Sequence, residues 1–308
     1  MMRFNSEKTA FGRHETFPLR YSWLTKGIHA LLEDSTVFQS DEATVTLGVG
    51  KNMVSAIRYW IEAAQLAERR DGQLILTQIG EELFSPGHGY DPYMEDEATI
   101  WLIHWLIATN AELATAWYWF FNRFHKPEFT SQEVGAALVD FVKSDIKTRV
   151  AASTVKQDAA ILLRMYTQSS RSARTPLEEA LDSPLSLLGL VSHLPGSKRY
   201  QSRPDTRDGL PVGVFAYAVA DYLQFTKAKE VPIEELMYGR AAYPAIGGVF
   251  RLTEAGLISK LEEMVRVFPG AYETRETAGV HQLYLLEEKP KISYLDHHYS
   301  AHYSEVAA

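Results

Sequence analysis

A chain of 308 residues that is 46% apolar, carries a formal charge of −8 and contains no cysteine has ample material for packed cores. The missing cysteine excludes a disulfide scaffold, a thiolate zinc site, an iron–sulfur cluster and a cysteine nucleophile, so any metal must be held by His, Asp or Glu. No stretch of eighteen apolar residues occurs, and the first twenty positions carry Arg3, Glu7, Lys8, Arg13, His14 and Glu15 without an apolar core, so the chain reads as cytosolic, with no membrane partner.

In chain order, helical periodicity dominates. Ser40 stands as N-cap of a short helix over Asp41–Leu47. A Gly48-Val49-Gly50 turn then leads into a longer helix with Val54, Ile57 and Ile61 on one stripe, flanked by Met53, Trp60 and Ala64. Asp71-Gly72 is a hairpin signal, Leu74-Ile75-Leu76 its return strand, and Thr77 opens the next helix. Helix, turn, helix, hairpin, helix is the winged-helix order.

The stretch 84–97 is a turn-rich acidic connector, and 81–97 holds six acids with no lysine or arginine. From Asp96 to Phe124 the chain is strongly aromatic, and His104 there reads as a hydrogen-bonded core histidine. A middle pair of helices follows, one opening at Phe129-Thr130-Ser131 and running through Val142, the other capped by Ser153 and running through Tyr166. Over 143–174 seven cations face only Asp145 and Asp158, and 167–176 reads as a basic linker. Arg251-Leu252-Thr253-Glu254-Ala255-Gly256 repeats the grammar of Ile75-Leu76-Thr77-Gln78-Ile79-Gly80, predicting a second wing that closes there. Two glycines at equivalent helical steps call for close approach of another backbone. The tail from Lys289 onward is expected to pack loosely.

The predicted fold is mainly α with small β-hairpin wings (α+β), several winged-helix-like units being packed around an aromatic helical core. Three regions are expected: 1–95 with the first unit, 96–170 with the aromatic region and second unit, and 171–308 with the third unit and tail.

The glycine–lysine stretch TLGVGKN is not a phosphate loop. A Walker A motif needs glycine where Val45 stands and Ser or Thr where Asn52 stands, and it follows a strand, whereas Asp41-Glu42-Ala43-Thr44 reads as helix. A helix whose first turns expose Lys51, Asn52, Ser55 and Arg58 suits DNA, with asparagine matched to adenine and arginine to guanine or phosphate. Lys156 and Arg164 supply the same chemistry in the middle unit. Winged-helix units also serve as protein-docking modules.

Several separated motifs agree in order with one bacterial family: FGRHETFPLRYSWLTKG (11–27), LGVGKNMV (47–54), DPYMED (91–96), WYWFFN (117–122) and ETAGVHQLY (276–284). Through them the chain resembles, over nearly its whole length, a family catalogued as a domain of unknown function that includes SspB, the DNA-nicking component of single-strand DNA phosphorothioation defence modules. The resemblance implies a protein that binds double-stranded DNA and cuts one strand beside a cysteine desulfurase, an ATPase and an ATP-pyrophosphatase-like sulfur-transfer enzyme. A non-catalytic DNA-binding adaptor that delivers the modification machinery, or a transcriptional regulator, fits the residues as well.

Phosphodiester hydrolysis needs an activated nucleophile and charge neutralisation at the phosphate, commonly with a divalent metal such as Mg2+ held by carboxylates. His14 as base, Glu15 orienting it or holding a metal, Arg20 gripping phosphate and Tyr21 beside it form the candidate catalytic group. A domain-interface role explains His14-Glu15 equally. Asp91, Glu95 and Asp96 form the candidate metal group, with acids at a helix N-terminus as the alternative. His297, His298 and His302 include an i, i+4 pair compatible with a metal.

Overall fold

The computed structural model describes residues 3–168, 183–240, 242–277 and 280–306, with Thr277, Val280 and 301–306 described by backbone alone. It is α+β, with helices and small antiparallel sheets, and divides into two compact units, Arg3–Arg203 and Pro204–Ala308. Among the described residues no helix is long and apolar enough to cross a membrane.

In the first unit α1 (Tyr21–Glu33) is followed by a 3-10 turn, then α2 (Ala43–Leu47) and α3 (Lys51–Ala63). Gly48 ends α2 because it takes a left-handed conformation, φ 63°, and Gly50 in extended geometry opens α3 at Lys51. The chain enters this turn from a helix, as the sequence required. The expected Ser40 cap is displaced: α2 starts at Ala43, and Ser40 Oγ instead accepts the Glu42 amide at 3.1 Å. Val54, Ile57, Trp60 and Ile61 are buried.

Strands β1 (Ala67–Arg70) and β2 (Gln73–Leu76) pair antiparallel from Ala67↔Leu76 to Arg70↔Gln73. Asp71 and Gly72 both have positive φ, 51° and 82°, which suits a tight two-residue hairpin turn. Thr77 caps α4 (Gln78–Phe84) by accepting the Gly80 amide at 3.3 Å. A Cβ on Gly80 would sit 2.1 Å from the Leu66 carbonyl oxygen, the close backbone approach that the repeated glycine called for. Gly80→Ala is therefore expected to cost about 1–3 kcal/mol through overpacking. A thermal melt matching wild type would contradict this contact.

The aromatic region forms α5 (Glu97–Ala108) and α6 (Thr115–Arg123), with Ala98–Ala108 buried throughout. His104 is a core histidine, its Nδ1 2.8 Å from the Tyr166 hydroxyl, and burial pushes that phenol well above its ordinary pKa. The phenol therefore stays protonated while it shares this hydrogen bond with the ring. Next come β3 (Glu128–Thr130), α7 (Ser131–Asp145) and α8 (Ala152–Tyr166), and β4 (Ser192–His193) and β5 (Arg199–Gln201) complete a sheet of order β3-β5-β4. Thr130 and Glu133 exchange hydrogen bonds in a capping box at the start of α7. By contrast α8 begins one residue before Ser153 and has no side-chain cap.

The second unit runs α9 (Val212–Thr226), β6 (Glu230–Pro232), α10 (Ile233–Tyr238), α11 (Ile246–Phe250), α12 (Glu254–Val267), β7 (Tyr272–Thr277), β8 (Val280–Leu285) and α13 (Ile292–Val306). Its sheet has the order β6-β8-β7. Thr253 caps α12 through the Gly256 amide at 3.1 Å, and a Cβ on Gly256 would lie 2.9 Å from the Thr206 Cα, again as the repeat required. The wing expected to close at Arg251-Leu252 is not there. The preceding apolar run is the helix α11, Leu252 makes an isolated bridge to Asp205, and the hairpin follows α12 instead. A short apolar run does not distinguish buried strand from buried helix.

The tail is also firmer than expected. In α13 Tyr294, Leu295 and Tyr299 are buried, and the missing side chain of Gly213 lets the Tyr294 carbonyl settle on α9, 2.7 Å from where a Cβ would stand.

Candidate nucleic-acid interface

Residues 51, 55, 58 and 62 fall on one stripe of α3, about a quarter-turn round the helix from the buried Val54, Ile57 and Ile61. Lys51 and Asn52 are exposed, while Ser55 and Arg58 are half-buried. The stripe borders an open groove of about 560 Å³ that also receives Lys8, Arg13 and Glu15 from the N-terminal segment, Arg69 from the hairpin, and Glu112. Four cations (Lys8, Arg13, Arg58, Arg69) and three carboxylates (Glu15, Glu62, Glu112) therefore share one wall-and-floor arrangement. Glu62 grips Arg69 with two bonds, 2.7 and 3.3 Å, and Lys8 lies 3.9 Å from Glu112. Among the described residues no ion pair engages Arg13 or Arg58. Those two guanidiniums are the groove's cations without an ion-pair partner, and their chemistry suits an oxyanion.

The structure separates the four candidate catalytic residues. His14 is fully buried beneath the groove. Its Nδ1 accepts the Thr16 amide at 3.1 Å, so Nε2 carries the proton and donates to Asp158 Oδ1 at 3.1 Å. With both nitrogens engaged and the ring enclosed by Tyr59, Trp60 and Trp117, it is not presented to a substrate as a base. Glu15 is exposed and lines the groove. Both it and Thr16 adopt left-handed backbone, φ 50° and 65°, a conformation costing on the order of 1–3 kcal/mol for each non-glycine residue. Arg20 packs its guanidinium over Phe17 and Trp23, 5.9 and 5.3 Å from their ring centres. Tyr21 opens α1 with its hydroxyl pKa pushed up by burial, then by the charges of Asp91 and Glu97. Neither residue lines the groove. Phe17 and Leu19 do anchor the segment: Leu19 is buried, and the Phe17 carbonyl accepts from Trp60 Nε1 at 3.2 Å.

Two of the three acids in the candidate metal group spend oxygens on the protein. Asp91 is buried, with Oδ1 accepting the Glu95 amide at 2.8 Å and Oδ2 accepting the Asp96 amide at 3.0 Å and the Thr99 hydroxyl at 2.6 Å. Asp96 caps α5 by accepting the Ala98 amide at 2.8 Å, and Glu95 is exposed. Among the described residues, no three His, Asp or Glu side chains gather as metal ligands would. On α13 His297 packs against Phe268, and the His302 side chain lies outside the described residues.

On α8 Lys156 and Arg164 are exposed while Val155, Asp158 and Leu162 are buried. Arg171 and Arg174 of the same basic stretch lie outside the described residues.

The family model described as "Protein of unknown function (DUF4007)" matches residues 11–299. The chain belongs to this family. Among solved structures it is similar to the "Magnesium ion-bound SspB crystal structure", with TM-score 0.84 and 26% identity over 97% of this chain and 89% of that one. A second SspB crystal structure is similar at TM-score 0.83 and 27% identity, with the same coverage. No curated protein matches the chain.

In this DUF4007 chain, sequence reasoning passed over Lys8, Arg13, Arg69 and Asp158. For Asp158 a signal existed: it is a lone carboxylate on the apolar face that carries Val155 and Leu162, and a buried charge demands a partner. Nothing local marks Arg13 or Arg69, which meet α3 only through the fold.

Proposed function

We propose that this chain is the DNA-binding component of a bacterial phosphorothioation defence module, engaging double-stranded DNA through winged-helix-like units and cutting one strand. The observation that carries DNA binding is the face of α3 on which Lys51 and Asn52 are exposed in the first turn and Ser55 and Arg58 line a groove that adds Arg13. Cationic side chains in this arrangement hold phosphates, while asparagine and serine reach base edges. The winged-helix reading is supported by the order helix, helix, hairpin at α2–β2 and at α11–β8. Membership of the module is supported by the likeness to SspB across 97% of the chain. Its partners there are a cysteine desulfurase, an ATPase and an ATP-pyrophosphatase-like sulfur-transfer protein.

For strand cutting, Glu15 is the candidate that opens into the groove. Its carboxylate is placed to orient or deprotonate a nucleophile at a phosphate held by Arg13 and Arg58. One of the similar SspB structures is magnesium ion-bound, so Mg2+ is compatible with the family. The donors of this chain, as placed, do not form a ready metal cage: Asp91 and Asp96 are committed to backbone amides and Glu62 to Arg69.

The enclosure of His14 favours a second reading, a DNA-binding adaptor without its own chemistry. Supercoiled plasmid incubated with the purified chain across divalent metals separates the two. Nicking predicts conversion to open circle, slowed about 100-fold or more by Glu15→Gln, a variant that still retains DNA. If no metal supports conversion, the adaptor reading replaces it.

A further inference from the structure

The groove receives Arg13 and Glu15 from the irregular loop 12–16, and this loop is pinned from beneath. The Gly12 amide donates to both oxygens of Asp158, at 2.9 and 3.1 Å, and His14 Nε2 donates to Oδ1 of the same carboxylate. The Thr16 amide closes back onto His14 Nδ1 at 3.1 Å, and the Phe17 amide onto the His14 carbonyl at 2.8 Å. Gly12 is itself left-handed, and a Cβ there would lie 2.7 Å from Thr154 Cγ2, so the loop lies flush on α8.

The imidazole lies parallel to Trp60 of α3, with ring centres 6.1 Å apart and 12° between planes, while Asp158 comes from α8. One ring thus joins the two helices whose outer faces carry Lys51 with Arg58 and Lys156 with Arg164. An apolar side chain would fill the same space. What the buried polar pair adds is direction, because its hydrogen bonds accept one loop conformation and reject neighbouring ones. Two consecutive left-handed residues, Glu15 and Thr16, persist only in a segment held that firmly.

We propose that His14 and Asp158 are positioning residues, which hold the 12–16 loop so that Arg13 and Glu15 enter the groove beside Arg58. The proposal rests on the DNA-binding reading of that groove. It makes the pair act on nucleic-acid affinity through loop geometry, separately from any contribution to folding.

Two variants that bear differently on stability test it. Asp158→Asn keeps the shape but replaces one of the two accepting oxygens with an NH2 donor. Thr16→Gly relieves a left-handed side chain, so it does not lower stability through backbone strain, yet it loosens the loop. Binding of a labelled short duplex by fluorescence anisotropy across a salt series, beside thermal melts, is the measurement. Both variants are expected to bind about tenfold more weakly. The logarithmic salt slope should fall by about one, the share of a single lost phosphate contact. Thr16→Gly should melt at or above the wild-type temperature. If Asp158→Asn does not fold, His14→Gln, which keeps a side-chain N–H donor but loses the ring that accepts the Thr16 amide, takes its place beside Thr16→Gly. Wild-type affinity and slope in the folded loop variants, with Arg58→Ala still weakened, overturn the positioning role and leave DNA binding standing. A wild-type chain with no affinity for the duplex removes both.

Discussion

Asp158→Ala is expected to destabilise the first unit by about 2–4 kcal/mol, because it orphans the buried His14 Nε2–H and the part-buried Gly12 N–H together. In a domain of this size about 3 kcal/mol corresponds to a fall of roughly 10 °C in Tm. Gln157→Ala, at the exposed neighbour, should stay within about 0.5 kcal/mol of wild type. Chemical denaturation with an unchanged slope and a lower midpoint is the expected pattern. Equal midpoints for the two variants would mean that the carboxylate does not hold the loop.

Lys51→Ala combined with Arg58→Ala should weaken DNA binding about 100-fold, since a hydrogen bond to a charged group contributes about 1.5–3 kcal/mol and every 1.4 kcal/mol is a factor of ten. The slope of log affinity against log salt should fall by about two units at the same time. Lys51 is exposed and Arg58 half-buried, and neither side is closed over by protein in a way that would make the change a folding defect. Lys156→Ala with Arg164→Ala on α8 reads the second face in the same assay. Retention of full affinity by both double variants would end the DNA reading of these helices.

The two experiments bear on one arrangement. The cations of α3 face outward because Val54, Ile57 and Ile61 face inward, a property of thirteen consecutive residues. The loop that brings Arg13 and Glu15 alongside them depends on Asp158, whose partner His14 is 144 positions away in the chain. On the proposed DNA-binding reading, a change in the first element alters which groups meet the nucleic acid, whereas a change in the second alters where those groups stand.

The parts that could be read in advance were those whose cause is local. Gly48 and Gly50 around Val49 break one helix and start another, Asp71-Gly72 adopts the positive φ pair of a hairpin, and Thr77 with Gly80 and Thr253 with Gly256 announce a capped helix against a neighbouring backbone. His104 was readable as a core histidine because its own helix is apolar on every side. A short apolar run misled, since the segment before Leu252 is a helix, and so did the polar composition of the tail, where Tyr294, Leu295 and Tyr299 are buried in a helix. His14 misled most. Beside Glu15, Arg20 and Tyr21 it looks like catalytic equipment, but the fold turns its ring inward and sends the other three to different places.

The sequence by itself determined the helix–turn–helix at Gly48–Gly50, the outward stripe of α3 and the family to which the chain belongs. The first two follow from backbone preferences and periodicities that act within a few residues, and the family from separated motifs that span the chain. Only the tertiary structure decided that His14 is enclosed with Asp158, that Asp91 serves backbone amides, and that Arg13, Glu15, Arg58 and Arg69 share a groove. Burial and pairing are settled by which distant segments close upon one another, and no local preference carries that information.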